Sequence, residues 1–106
     1  MKVKLQVTPT HIANGATTTY SCPIALAVQD ALPNYDEVEV DGGIVVHLME
    51  PMDGYLYRHE YKLYKEEQIT KVCAFIMNFD GGKEVDPFEL DLDFEEVVRE
   101  PPDPEY

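Results

Sequence analysis

The run Phe88-Glu89-Leu90-Asp91-Leu92-Asp93-Phe94-Glu95 alternates four apolar with four acidic side chains without interruption. A period of two belongs to a strand with one face in a core and the other in water, so this segment predicts an antiparallel sheet with a solvated side. Just upstream the period changes. Ile69, Val72, Cys73, Ile76 and Phe79 are spaced three and four apart, which predicts a helix that packs on that sheet and stops at Asp80-Gly81-Gly82.

Further toward the N-terminus, Tyr55 to Tyr64 sets Tyr55, Tyr57, His59, Tyr61 and Leu63 against Leu56, Arg58, Glu60, Lys62 and Tyr64, a strand with an aromatic face. The break Glu50-Pro51-Met52-Asp53-Gly54 precedes it. Glu37-Val38-Glu39-Val40-Asp41 and Ile44-Val45-Val46-His47-Leu48 read as a hairpin turned at Gly42-Gly43. Cys22 to Leu32 reads as a helix, with Pro23 in its first turn, Pro33 as its stop, and Ile24, Ala27, Val28, Ala31 and Leu32 on the buried face. Lys2 to Val7 alternates as a strand, and Thr8-Pro9 opens a short helical turn that Asn14-Gly15 closes through a left-handed residue. The expectation is an α+β fold of order β-α-β-β-β-α-β, a mainly antiparallel sheet with two helices on one face. Residues 1–96 make a single domain, and 97–106, ending Pro101-Pro102-Asp103-Pro104-Glu105-Tyr106, read as an acidic, proline-rich disordered tail.

The chain has 106 residues and a formal charge of −13, with 8 Lys and Arg against 21 Asp and Glu. Such a balance excludes a general nucleic-acid surface, which needs clustered cations, and gives no attraction to anionic membranes. Residues 84–106 hold ten of the acids and one base, Arg99, so most of the imbalance sits in the last fifth of the chain. Two cysteines and no ligand-spaced Cys/His quartet predict neither a disulfide scaffold nor a structural zinc. With no apolar stretch suited to secretion or to spanning a bilayer, the expectation is a soluble protein of the cytoplasm.

Three segments in fixed order, His11-Ile12-Ala13-Asn14-Gly15, Cys22-Pro23-Ile24-Ala25-Leu26-Ala27 and Phe79-Asp80-Gly81-Gly82-Lys83-Glu84-Val85-Asp86-Pro87-Phe88, resemble a family of small hypothetical proteins encoded in bacteriophage genomes. Residues 34–66 look like an insertion relative to shorter members. The resemblance implies a phage origin, with the host cytoplasm as the site of action, and implies no particular chemistry. Some members carry a further cysteine three residues before the Cys-Pro; Thr19 stands there in this chain, so a metal or redox pair at that place would be lost.

Candidate sites follow from residue type. Cys22 at a helix start has the backbone N–H groups that stabilise a thiolate, but a small buried cap is the simpler role, and Cys73 on an apolar helix face reads as core. His11, His47 and His59 form no ligand spacing with one another, so neither metal nor cofactor is expected. Tyr55, Tyr57, Arg58, Tyr61 and Lys62 offer stacking and charge for a small ligand or nucleotide, or a face for self-association into a homo-oligomer. Glu89, Asp91, Asp93 and Glu95, reinforced by Glu37 and Glu39 on a neighbouring strand, offer an acidic partner-binding surface. Carboxylates on alternate residues stand about 6.6–6.8 Å apart, too sparse for one strand to imitate a DNA backbone. The expectation is a non-enzymatic phage accessory protein that binds and modulates a host protein with a basic surface, such as a nucleic-acid-handling or defence factor. The alternatives are a ligand-sequestering module on the Tyr-rich strand and a thiol enzyme at Cys22.

Overall fold

The computed structural model describes residues 1–40 and 43–100, and of residues 51, 52, 56 and 98–100 the backbone alone. The chain is an α+β fold. Five strands, β1 (Lys2–Val7), β2 (Tyr35–Val40), β3 (Ile44–Met52), β4 (Tyr55–Leu63) and β5 (Phe88–Glu100), form one antiparallel sheet of order β1-β5-β4-β3-β2. Helices α1 (Pro9–Asn14), α2 (Pro23–Ala31) and α3 (Glu66–Asp80) complete it. Among the described residues no helix is long and apolar enough to cross a membrane.

The alternation in the sequence becomes a single core. Val3, Leu5 and Val7 of β1, Leu92 and Phe94 of β5, Leu63 of β4, Ile44, Val46 and Leu48 of β3, and Val38 and Val40 of β2 are buried together with Ile24, Ala25, Ala27 and Val28 of α2 and Val72 and Phe75 of α3. Both longer helices therefore cover one face, as their spacing predicts. Ala31, expected on the buried side of α2, is exposed, so the fully buried stripe ends at Val28.

Several boundaries differ from the sequence reading. The segment read as a break before the Tyr-rich strand is mostly strand: β3 continues to Met52, Pro51 lies opposite Leu56, and the turn is only Asp53-Gly54, both with positive φ (52° and 83°). Such a two-residue turn matches the twist of a hairpin. A proline fits here because Met49 donates its N–H toward Asn34 on the β2 side. The nitrogen two residues on faces that same side, where β2 no longer runs. Gly15 has an ordinary extended backbone (φ −70°, ψ 147°); glycine is required there because a Cβ would stand 2.6 Å from the ring carbons of Pro23. At the other end, β5 does not stop at residue 96. It pairs with β4 as far as Glu100, so the strand overruns the tail boundary placed at 97, and residues 101–106 lie outside the described part of the chain. The Gly42-Gly43 turn is likewise only partly described, with Val40 opposite Ile44 across residues 41–43.

β5 changes partner midway. Its residues 88–93 pair with β1 and 94–100 with β4, on opposite edges, with a register shift where Glu60 and Tyr61 meet Glu96 and Val98. The edge of residues 88–93 that faces away from β1 is met by α3. Asp93 donates its backbone N–H to Gln68 Oε1 at 2.9 Å, and Gln68 Nε2 donates to Asp93 Oδ2 at 3.0 Å. A buried glutamine thus stands in for a strand neighbour.

Candidate functional site

Glu89, Asp91, Asp93 and Glu95 all lie on the face of β5 turned away from the core. None of the outward residues on β1, β5 or β4 whose side chains are described is buried. The sheet does not leave the acids to themselves, however. Antiparallel register sets Lys2 opposite Asp93, Lys4 opposite Asp91, Gln6 opposite Glu89 and Lys62 opposite Glu95. Lys4 Nζ lies 3.6 Å from Glu89 Oε2, and Gln6 Nε2 donates to Glu89 Oε1 at 3.2 Å. Asp93 is held by Lys65 at 2.8 Å as well as by Gln68; the hydrogen bond from Lys65, then that from Gln68, lowers its pKa below the usual carboxylate range. The same hydrogen bond raises the pKa of Lys65. Asp93 is therefore a structural residue. The exposed carboxylates of Asp91 and Glu95 have no ion pair among the described residues.

Glu37 and Glu39 do not reinforce this stripe. The strand order puts β4 and β3 between β2 and β5, a separation of about 14 Å at ordinary strand spacing. Arg58 takes Glu37 as a partner through Nη2 (3.0 Å) and Asp36 through Nε (3.1 Å). Glu39, then Glu37, raises the pKa of Tyr20, so these acids face the 16–21 loop. Two acidic regions thus replace the single one expected.

The Tyr-rich strand is divided by its own pleat. Tyr55, Tyr57 and Tyr61 share the side of His59 and Leu63, whereas Arg58 and Lys62 point to the outer face beside Glu37 and Glu95. Tyrosines and cations cannot enclose one ligand, and the combined ligand site expected from Tyr55, Tyr57, Arg58, Tyr61 and Lys62 does not assemble. Tyr61 instead donates its hydroxyl to Glu50 (3.4 Å) and stacks on His59, with ring centroids 6.3 Å apart.

His59 is the feature that composition did not reveal. It is 2% exposed, with Nε2 3.7 Å from Glu50 and Nδ1 3.6 Å from Glu96, and neither nitrogen has a hydrogen-bond partner among the described residues. Its apolar-side phase was legible; its flanking carboxylates, on β3 and β5, required the register. His47 points the other way, 3.5 Å from Glu60. Among the described residues no group of three or more His, Cys, Asp or Glu could hold a metal ion.

His11 closes a cap around α1. Its Nδ1 accepts the N–H of Thr8 (3.0 Å), Thr8 Oγ1 accepts the N–H of His11 (3.3 Å), and Nε2 meets Asp30 of α2. Hydroxyl, imidazole and carboxylate stand in the order of a nucleophilic relay. Here, though, the threonine oxygen is the helix cap and the aspartate side chain is 74% exposed, which is the chemistry of a tie between two helices. Cys22 caps α2, its Sγ accepting the N–H of Ala25 at 3.4 Å. It is 2% exposed, and burial raises its thiol pKa against the lowering effect of the Ala25 and Ile24 amides. A reactive cysteine has the opposite surroundings. Under native conditions at pH 7.5 iodoacetamide is therefore expected to label Cys73, which is only half-buried, well before Cys22. Mass spectrometry should show Cys22 alkylated only on denaturation, and rapid native labelling would restore the thiol-enzyme reading.

No protein-family model, no curated protein and no solved structure matches this chain.

Proposed function

We propose that the protein is a non-enzymatic binding protein that engages a basic surface on another protein through the outer face of its sheet, with Asp91 and Glu95 as the acidic contacts. The observation that carries this is the exposure of those two carboxylates, without ion pairs among the described residues, on a sheet face in a chain of net charge −13. Lysines beside them soften the local field but leave the surplus negative. Electrostatic attraction of this kind accelerates encounter, sets partner choice and weakens with salt. Following the motif resemblance, the partner is a host protein met in the cytoplasm by a phage accessory factor, and the binding modulates it by occupying its basic site.

The test uses the tagged full chain and a variant carrying Asp91→Lys with Glu95→Lys. Neither residue is buried or tied to α3, so the variant is expected to keep its fold. Proteins captured from bacterial extract at low salt by the wild type should fall at least tenfold in yield with the variant, and likewise with the wild type at 0.5 M salt. Equal recovery of the same proteins by both chains at both salts would overturn the electrostatic reading.

A further inference from the structure

We propose that His59 is a proton-operated clasp: protonation of its imidazole ties β3, β4 and β5 together, and loss of that proton loosens the far ends of the three strands. The device goes beyond the acidic face and does not depend on it. The first observation is a count of donors. The ring is 2% exposed, with Nε2 3.7 Å from Glu50 of β3 and Nδ1 3.6 Å from Glu96 of β5. A neutral imidazole has one N–H and one lone pair, and an ionised carboxylate only accepts. In either tautomer of the neutral ring, therefore, one nitrogen sets its lone pair against a carboxylate. The imidazolium has an N–H for each. Both separations are too long for a hydrogen bond and too short to admit a water, and a movement of about 1 Å by each carboxylate would close them to charge-assisted bonds. Imidazole is the side chain whose charge ordinarily changes between about pH 5 and 8.

The second observation is where the ring sits. Pairing of β2 with β3 ends at Leu48, and pairing of β1 with β5 ends at Asp93, so Glu50, His59 and Glu96 lie where both flanking strands have stopped and β3, β4 and β5 run on as a three-stranded arm. The ladder inside that arm is interrupted. Tyr61 pairs with Glu96 and Glu60 with Val98, which leaves Val97 as an extra residue on β5, and such a bulge disrupts the local bonding. His59 is in register with Arg99 on one side of the bulge and meets Glu96 on the other, so its contact spans the interruption. The titratable groups that face the ring are Glu50, Glu96 and, on β4 itself, Tyr61, which stacks on it. Its partner on β3, Leu48, is apolar, and among the described residues no charged side chain of a helix lies within ion-pair distance. Arg99, whose side chain is outside the description, keeps one charge throughout this pH range. The doubly protonated ring gains two partners in the closed arm and none in the open one, so the clasp closes as pH falls and releases as it rises.

The test is made on the full chain by NMR between pH 8 and pH 5.5. The ¹⁵N shifts of the His59 ring report its protons directly, and amide protection factors, corrected for the intrinsic pH dependence of exchange, report the arm. Both ring nitrogens should carry protons at pH 5.5 and only one at pH 8. Over the same interval the protection of residues 57–60, taken relative to that of Leu92 in the core, should rise at least fivefold. Glu50→Gln supplies the variant, since its amide can either donate to or accept from the ring and so satisfies the neutral form. Its rise should be less than half that of the wild type. Ring nitrogens that keep one state from pH 8 to pH 5.5 overturn the clasp. So does a relative protection that rises less than fivefold while the ring titrates, or a rise in Glu50→Gln of half the wild-type value or more.

Discussion

Replacing Leu92 by alanine is expected to cost about 2–5 kcal/mol of folding free energy, the range for truncating a fully buried leucine in a packed core. Leu92 is 0% exposed and lies opposite Val3, next to the point where β5 passes from one partner strand to the other. Few surrounding groups can move in to fill the space, since its cross-strand neighbour Val3 is itself fixed in the same core cluster. Domains of this size have about 5–15 kcal/mol in all, so the variant should unfold at a markedly lower urea midpoint with an unchanged slope. Val97→Ala, on a half-exposed residue of the same strand, serves as the comparison and should change stability by no more than about 0.5 kcal/mol. Similar losses in the two variants would mean that the core does not converge on Leu92.

The second large effect is expected at Gln68. Leucine there would keep the apolar contacts of a residue only 7% exposed while leaving the Asp93 backbone N–H without its acceptor and the Asp93 carboxylate without one donor. A partly buried donor stripped of its partner costs about 1–3 kcal/mol. Part of the loss depends on pH. The folded pKa of Asp93 is depressed, so its contribution is complete above the pKa of the unfolded carboxyl and disappears as pH falls through the lower, folded value. The stability gap between wild type and Gln68→Leu should therefore be widest near neutrality and narrow below about pH 4. The backbone bond, which does not titrate, keeps the gap from closing. A gap that widened in acid would contradict this assignment, and Asp93→Asn should remove most of the pH dependence while leaving the backbone bond.

The sheet was legible wherever one side of a strand is buried, because burial imposes the period that Val3, Leu5 and Val7 or Leu90, Leu92 and Phe94 display. The helices were legible from capping and spacing, as at Cys22-Pro23 and Asp80-Gly81. What the chain could not display was neighbourhood across long separations. Lys2 and Lys4 sit more than eighty residues from the acids they face, and the −9 counted over residues 84–106 acquires its cationic border only through register. The same holds for His59, whose alternation placed it inward but whose carboxylates come from two other strands. Pro51 misled for a different reason. Proline usually breaks a strand, and here it is tolerated because its missing donor faces an edge beyond the end of β2, with no strand neighbour among the described residues.

The tandem pairing of β5 also bears on how the protein is made. Helix α2 follows β1 closely in sequence and can cover its apolar side early, yet the strand neighbour of β1 among the described residues comes from residues 88–93, so its backbone edge is the part that waits. Hairpins β2-β3 and β3-β4 can form locally, whereas closure on β1 awaits the last strand. Closure of the sheet is thus expected as a late folding step, since it pairs segments more than eighty residues apart.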